Sequence, residues 1–203
     1  MSKRLSALLV AALAVSPLLG FKYKIKDLQI RPAREYASFQ DFQNLVIAAY
    51  PYSDQERVDQ IFDTDKLIEK GFLAILVVIE NNNSFPVQIQ DKDIYLVDSR
   101  GQRERRLHYS DVLLSVSLDK PPSAYSPKDL QRKVDKQMRI DFEHKAFVER
   151  LVAPNSSDYG IVFFKLPEEG DLEGYSLYLP QIVNFSTQEL LIFFEFELKD
   201  ASQ

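Results

Sequence analysis

The side chains that could start a reaction are few, and several of them share one short stretch of the chain. His108-Tyr-Ser110-Asp111 has the residue types of a hydrolytic triad, in which an imidazole base activates a serine hydroxyl. Residues this close together in a strand or at a helix start cannot generally converge on one substrate. We therefore interpret the stretch as exposed loop polarity and keep a hydrolase centred on His108 as an alternative.

The remaining candidates for metal or cofactor chemistry are also sparse. The chain has two histidines, His108 and His144, and no cysteine, which removes thiolate nucleophiles, disulfides and cysteine-bound metals. Asp-Lys-Asp at residues 91–93 and Asp-Leu-Glu at residues 171–173 could supply oxygen ligands to calcium, but neither has the acidic density of a dedicated loop. We interpret both as surface turns. The sequence predicts no catalytic residue, no metal ligand and no cofactor, and hence a protein that is not an enzyme.

One basic cluster stands out from an acidic chain. Arg100, Arg103, Arg105 and Arg106 lie at or just beyond a predicted hairpin tip. Such a cluster could contact an anionic lipid head group, a polysaccharide or an acidic protein, although charge runs of this kind usually form a solvated loop. We keep these four arginines as the possible contact with an anionic partner.

The overall charge argues against nucleic acid as that partner. The chain has 25 basic and 30 acidic residues, a formal net charge of −5. Without Lys3 and Arg4 the balance becomes about −7. General nucleic-acid binding requires basic surfaces, whereas an acidic balance suits a soluble exported protein.

The N-terminus has the pattern of an export signal. Lys3 and Arg4 precede an apolar run of Leu, Ala and Val, and cleavage after Ala14 or Gly20 is compatible with small-residue rules. Phe21 excludes a lipid anchor on cysteine at that position. The alternatives are an uncleaved membrane anchor and a buried helix. We expect a periplasmic or extracellular protein that is membrane-anchored only if this segment is retained.

The elements that must position these residues are mainly strands. The central prediction is residues 72–79, eight apolar residues in a row, which is too short for a membrane span and typical of a strand covered on both faces. A turn at Asn81-Asn-Asn-Ser84 and strands at residues 87–90 and 94–97 follow, as in an antiparallel meander. Further strands are predicted at residues 22–30, 45–50 (ended by Pro51), 160–166, 175–179 and 190–198.

Three segments favour helix. Ser53 and Glu56 have capping-box spacing before a short helix, and residues 107–118 fit either a strand or a helix that Ser110-Asp111 could cap, with a slight preference for helix. Apolar residues recur every four positions from Leu130 to Phe142 and continue to Leu151. This spacing predicts a long amphipathic helix near residues 126–151, straight or kinked.

Four turn and core motifs follow one another along the chain: Ile79-Glu-Asn-Asn-Asn-Ser-Phe-Pro-Val87, Ile94-Tyr-Leu-Val-Asp-Ser-Arg-Gly101, Gly160-Ile-Val-Phe-Phe-Lys-Leu-Pro167 and Gly174-Tyr-Ser-Leu-Tyr178. Their order resembles that in the bacterial exported immunoglobulin-like domains of unknown function. The similarity covers roughly residues 43–198, and it implies an immunoglobulin-like antiparallel β-sandwich; no catalytic residue can be carried over from that group. The long helix departs from a minimal sandwich.

The sequence thus predicts a mainly β protein with inserted amphipathic helices. Its expected organisation is a signal peptide or anchor at residues 1–20, an extension with a strand at 21–42, and a sandwich at 43–203 that contains the helical insertion near 126–151. The leading functional hypothesis is a non-enzymatic binding or structural module of the cell envelope that acts through its surface on an unknown protein or anionic component. A hydrolase and a membrane-tethered structural subunit are the alternatives.

Overall fold

The computed structural model describes residues 23–119, 122–126, 128–129, 134–167 and 171–199. The described chain is mainly β, with few helices. The strands are β1 Ser38–Phe42, β2 Leu45–Tyr52, β3 Phe72–Asn81, β4 Val87–Ile89, β5 Tyr95–Val97, β6 Arg103–Arg105, β7 Arg150–Val152, β8 Ser156–Lys165, β9 Ser176–Asn184 and β10 Leu190–Glu197. The helices are α1 Gln55–Val58, α2 Lys66–Glu69, α3 Tyr109–Ser117 and α4 Lys136–Lys145, with single 3₁₀ turns at Ala33–Glu35 and Pro122–Ala124.

The strands form two antiparallel sheets. Sheet A has the order β1-β2-β3-β8. Sheet B has the order β6-β5-β9-β4-β7, and β10 also pairs with β9. The first residues of β9 pair with β5 and its last residues with β4, while β10 occupies the opposite side of β9. Strand β9 is therefore the central strand of sheet B, paired with β4, β5 and β10. In sheet A, strand β3 is central and pairs with β2 and β8.

Strand β3 confirms the prediction of a central strand covered on both faces. Ala74, Leu76 and Val78 belong to a core between sheet A and the helices, which we call the helix-side core. Alternate residues of the same strand, such as Leu73 and Ile75, belong to the inter-sheet core between sheets A and B. Because both faces of the strand are buried, every position from Phe72 to Ile79 is apolar and the usual alternation with polar residues disappears.

The predicted meander is wrong, because the chain changes sheets after β3. Strands β4 and β5 do not pair with β3; each pairs with β9 in the other sheet. Asn81, predicted as a turn residue, is the fully buried last residue of β3. Its side-chain amide donates to the carbonyl oxygens of Phe85, Val152 and Ala153 at 2.9, 3.1 and 3.1 Å. This network of hydrogen bonds fixes the crossing between the sheets.

The predicted strand at residues 22–30 is also wrong. Residues 23–32 have no strand pairing, and Ile25, which the alternating pattern would bury, is 47% exposed. The segment is held instead by side chains such as Tyr23, which lies in the helix-side core. A period-two pattern specifies a strand only when a neighbouring strand is present to pair with it.

The helix predicted near residues 126–151 is much shorter in the structure. Helix α4 begins after Asp135, whose carboxylate accepts hydrogen bonds from the N–H groups of Gln137 and Met138, and it ends at Lys145. Residues 127 and 130–133, including Leu130, lie outside the described residues. Phe142 packs in the helix-side core but Phe147 packs in the inter-sheet core, so the apolar spacing continues although the helix does not.

Local signals at the other helices and at β2 are partly confirmed. The preference for helix over strand at residues 107–118 is confirmed by α3, but its N-cap is His108 rather than Ser110-Asp111. Helix α1 is capped by Asp54, whose side chain accepts from the N–H of Arg57, rather than by Ser53. Strand β2 continues through Pro51, because β1 pairs with it only as far as Ala49 and one side of the strand is free there. None of the helices among the described residues is long and apolar enough to span a membrane.

Candidate functional site

The outward-facing side of sheet B is the most distinctive exposed surface of the described protein. Leu96, Leu177, Phe194 and Phe196 point into the inter-sheet core, so the residues that alternate with them point outward. We call this surface the sheet B outer face. It is formed by Tyr95, Val97, Arg103, Arg105, Ser176, Tyr178, Val183, Leu190, Phe193, Glu195 and Glu197.

Strand register arranges this face in rows that cross the sheet. One row runs from Arg105 on β6 through Tyr95 and Tyr178 to Glu195 on β10. The next row runs in the same direction through Arg103, Val97, Ser176 and Glu197. The face therefore has arginines at one edge, glutamates at the other, and aromatic or small residues between them.

Aromatic contacts give the centre of the face a defined shape. The guanidinium of Arg103 lies 5.2 Å from the ring centre of Tyr178 and 5.7 Å from that of Tyr95. The Phe193 ring lies 5.7 Å from that of Tyr178. Cation–π contacts of this kind hold a long arginine side chain against the rings.

Large apolar side chains are also exposed on this face, Phe193 beside the Tyr178 ring and Leu190 and Leu151 at the level of Val183, towards the other end of β9. Leu190 is 63% exposed, and Phe193 and Leu151 are each 54% exposed. Leu151 is paired through Gln88 with Val183 and Leu190, so it lies on the same outward side of the sheet. Several large exposed apolar side chains on one face of a folded domain are typical of an interaction site.

The four predicted arginines do not form one cluster in the structure. Arg103 and Arg105 point to the sheet B outer face, while Arg100 lies in the β5–β6 turn and Arg106 follows the strand. Arg105 forms an ion pair with Asp93 at 3.0 Å, and Arg106 pairs with Asp91. Arg106 is half-buried and also donates to the carbonyl oxygen of Asp91. Arg103 and Arg105 therefore belong to the sheet B outer face, while Arg103 and Arg100 also line a small groove beside the β5–β6 turn.

The turn that carries Arg100 borders a polar cleft. Arg100 pairs with Asp98 at 3.0 Å, and the N–H of Gln102 donates to the same carboxylate at 2.8 Å. The hydrogen bond from Gln102, with Arg100 adding to it, holds the pKa of Asp98 below its ordinary value.

The cleft itself has a volume of about 710 Å³ and contains charges of both signs. Residues lining it include Arg100, Glu104, Lys165, Asp171 and Tyr175. Glu104 accepts the backbone N–H of Lys165, so part of this charge joins the two sheets. In the part of the chain that the structure describes, no group of three or more His, Cys, Asp or Glu residues could hold a metal ion.

His108 and Ser110 contact each other at the start of α3. The imidazole Nδ1 lies 2.7 Å from Ser110 Oγ and accepts the Ser110 backbone N–H at 3.3 Å. Because Nδ1 is an acceptor, the neutral ring carries its proton on Nε2. The imidazole is exposed, whereas Ser110 lines an apolar groove of about 210 Å³ with Leu113 and Glu143. The arrangement serves as a helix cap and leaves a serine hydroxyl directed at a base.

A buried polar triad, missed by the sequence analysis, lies in the helix-side layer. Tyr23 Oη donates to Asp141 Oδ2 at 2.6 Å, and Asp141 pairs with Lys145 at 2.6 Å one turn along α4. Lys145 also donates to the Ile61 carbonyl oxygen at 2.6 Å. Burial lowers the pKa of Lys145, and Asp141 opposes that shift. Burial raises the pKa of Tyr23, and its hydrogen bond to Asp141 adds to the effect.

This triad is structural in its geometry, because it is enclosed and joins three separate segments. The spacing of Asp141 and Lys145 on either side of Phe142 was visible in the sequence as an i,i+4 charge pair within an apolar stretch. The third member, Tyr23, lies 118 residues from Asp141, and no local pattern connects them.

Comparisons with known proteins show a distant similarity to a solved structure. No protein-family model and no curated protein matches the chain. A solved structure, the yjhA protein from Bacillus subtilis, is similar over 81% of this chain and 98% of its own, with 11% sequence identity and a TM-score of 0.45.

Proposed function

We propose that this protein is a non-enzymatic binding or structural module of the cell envelope that acts through the sheet B outer face. One observation carries the proposal: Arg103 lies over Tyr95 and Tyr178 beside the exposed Phe193. Tyrosine and arginine are enriched among residues that dominate binding energy at protein interfaces. A sheet face with this composition supports contact with a protein or an anionic envelope component.

The proposed location and fold class rest on the sequence. The basic and apolar N-terminus supports export to the periplasm or beyond, with a retained membrane tether as the variant of this proposal. The two antiparallel sheets with a shared core, together with the turn motifs described above, support placing the fold among immunoglobulin-like sandwiches. The helices on sheet A are then a decoration of that sandwich.

Site-specific photo-crosslinking in intact cells tests the proposal. A photoreactive phenylalanine analogue at Phe193 should form crosslinks to a protein or lipid of the envelope, whereas the same analogue at Glu69 on α2 should not. Glu69 is exposed on the opposite, helix-covered side, so it is the matched control. Crosslinks of equal yield at both positions, or none at Phe193, would contradict binding through this face.

The contribution of the arginines is tested by comparing two exposed sites. Arg103→Ala with Arg105→Ala should abolish the Phe193 crosslink, because both side chains belong to the face. Arg100→Ala should leave it unchanged, since Arg100 is 75% exposed in the turn and pairs with Asp98. Equal loss in both variants would point to the whole hairpin rather than to the face.

A hydrolase is the second candidate, because Ser110 Oγ lies 2.7 Å from His108 Nδ1 at the edge of an apolar groove. Hydrolysis of short acyl esters that is lost in Ser110→Ala and reduced in His108→Gln would establish it. The Ser110→Thr variant, which retains the hydroxyl, should keep part of the activity. Turnover that persists in Ser110→Ala would exclude this serine as the nucleophile.

A further inference from the structure

The distribution of charge on the sheet B outer face defines the kind of partner it fits. Arg103 and Arg105 lie on β6, and Glu195 and Glu197 lie three strands away on β10. At the usual strand spacing these two edges are about 14 Å apart. The face thus carries a positive edge, an apolar centre and a negative edge, which makes it complementary to itself.

A twofold axis parallel to the strands would use this complementarity fully. Such an axis, placed between β5 and β9, keeps each row at its own level and reverses its direction. Arg105 of one copy then faces Glu195 of the other, and Tyr95 faces Tyr178. In the next row, Arg103 faces Glu197. A twofold axis perpendicular to the strands would instead place arginine over arginine.

The apolar centre can supply attraction that the charges alone cannot. Exposed ion pairs contribute little by themselves, whereas burial of aromatic and leucine side chains is favourable in proportion to area. Strand β9 has nine residues, so it is about 30 Å long, and four strands are about 20 Å across. Two such faces would bury roughly 1,200 Å² in total, the lower end for specific interfaces.

We propose that the sheet B outer face binds a second copy of this chain about a twofold axis parallel to its strands. This inference rests on the proposed function, because it names the partner of the same face. The ion pair between Arg105 and Asp93 is compatible with this dimer. Both side chains remain partly exposed, so the Arg105 guanidinium can also contact Glu195 of the second copy. Because an area at the lower end for specific interfaces is typical of transient association, we expect the dimer to be in equilibrium with its monomer.

Charge reversal and recombination test the proposed symmetry. We expect the full-length protein, isolated from cells in its natural form, to show a monomer–dimer equilibrium in sedimentation equilibrium experiments. Arg105→Glu and Glu195→Arg should each weaken the dimer at least about tenfold, because like charges then face each other twice. An equimolar mixture of the two variants should restore it, since both contacts become complementary again. Glu69→Arg on α2 is the control and should have no effect.

Chemical crosslinking keeps the test informative if a reversal variant fails to fold. The natural chain has no cysteine, so Arg105→Cys and Glu195→Cys introduce unique thiols. A bismaleimide that spans the spacing of packed sheets, about 10 Å, should join the two variants when they are mixed. It should not join either variant to itself, because like positions would also be displaced sideways by about 14 Å.

The outcomes separate this inference from the proposed function. A monomer at all concentrations, or self-crosslinking of Arg105→Cys as strong as crosslinking in the mixture, overturns the twofold dimer. If the Phe193 photo-crosslink then identifies a different envelope component, the proposed function remains and only its partner is wrong. Recombined dimers from the mixed variants, with no dimer from either alone, support both the partner and the axis.

Discussion

The two outward sheet faces of this protein differ in what covers them. The outer face of sheet A is covered by the four described helices and the N-terminal segment, which form a second core around Phe62, Phe142 and Phe163. The outer face of sheet B carries Tyr95, Tyr178 and Phe193. None of the described helices covers it, because the buried apolar residues of those helices all belong to the helix-side core. The same residue type, phenylalanine, is thus structural on one face and available for contact on the other.

The largest expected effect separates these two roles directly. Phe142→Ala should lower the free energy of unfolding by about 4 kcal/mol, because Phe142 is fully buried and stacks on Phe62 at 4.2 Å. Phe193→Ala, the same substitution on the exposed face, should change it by less than about 0.5 kcal/mol. Urea unfolding of both variants measures the difference. Equal losses would show that the sheet B outer face is also part of the folded core.

The buried triad sharpens the comparison on the helix-covered side. Asp141→Asn should lower the free energy of unfolding by about 3 kcal/mol, because it leaves the Lys145 ammonium buried without its carboxylate partner. Burial has already lowered the pKa of Lys145, and loss of Asp141 lowers it further.

The same substitution makes a prediction about pH. A lowered pKa means that the unfolded chain binds more protons than the folded chain between the folded and unfolded pKa values of Lys145, so stability rises with pH in that window. In Asp141→Asn the folded-state pKa of Lys145 is lower still, so the rise in the free energy of unfolding begins at a lower pH. The deficit of the variant should therefore shrink as the pH is raised from 7 towards 10, as measured by urea unfolding. A deficit that is constant with pH would show that the lysine charge is not its cause.

An intermediate effect is expected where the chain passes from the helix layer to sheet B. A Cβ atom on Gly160 would lie 2.8 Å from the Cα of Phe147, so Gly160→Ala requires a backbone shift. We expect a loss of about 2 kcal/mol in thermal or urea unfolding. Gly71→Ala is not a suitable control because Gly71 has a φ of 72°, but Ser157→Ala, which places alanine at an exposed position of the same strand, is. A neutral Gly160→Ala would show that this contact is loose.

The smallest effect concerns alkaline pH. Burial raises the pKa of Tyr52, which lies in the helix-side core. The unfolded tyrosine ionises near its ordinary value of 10.0 while the folded one stays neutral, so its contribution to stability is complete below that pH and is lost above it. Above pH 10, ionisation of Tyr52 in the unfolded chain should lower the free energy of unfolding by about 1.4 kcal/mol per pH unit. Tyr52→Phe should remove this part of the decline. Equal decline in both proteins between pH 10 and 11 would contradict this assignment.

Some of this architecture could be predicted because local patterns report burial. The run at residues 72–79 indicated a strand covered on both faces, and Phe194, Phe196 and Leu198 alternate with exposed glutamates as expected. What local patterns do not report is the partner of each strand. Strands β4 and β5 follow β3 closely in sequence but pair with β9, which begins at Ser176.

The candidate site shows the same limit. The arginines of residues 100–106 were visible as a charge run, but their carboxylate partners Asp91 and Asp93 were interpreted as surface turns. The contact with Asp91 holds Arg106 half-buried, while Arg103 and Arg105 lie on the sheet B outer face. Tyr178 completes that face from a strand more than seventy residues away, and only the sheet register brings it beside Tyr95.

The joining of distant segments also bears on how fast the protein can fold. The Ser38 hydroxyl donates to the Glu197 carbonyl oxygen across 159 residues, and Tyr23 reaches Asp141 across 118. Strand β3 also pairs with β8, which begins at Ser156, so sheet A can be completed only after this distant strand has joined it. A high contact order of this kind slows folding, because long loops must close before native contacts form. For a chain that is exported as we propose, slow folding extends the time during which it can cross a membrane unfolded.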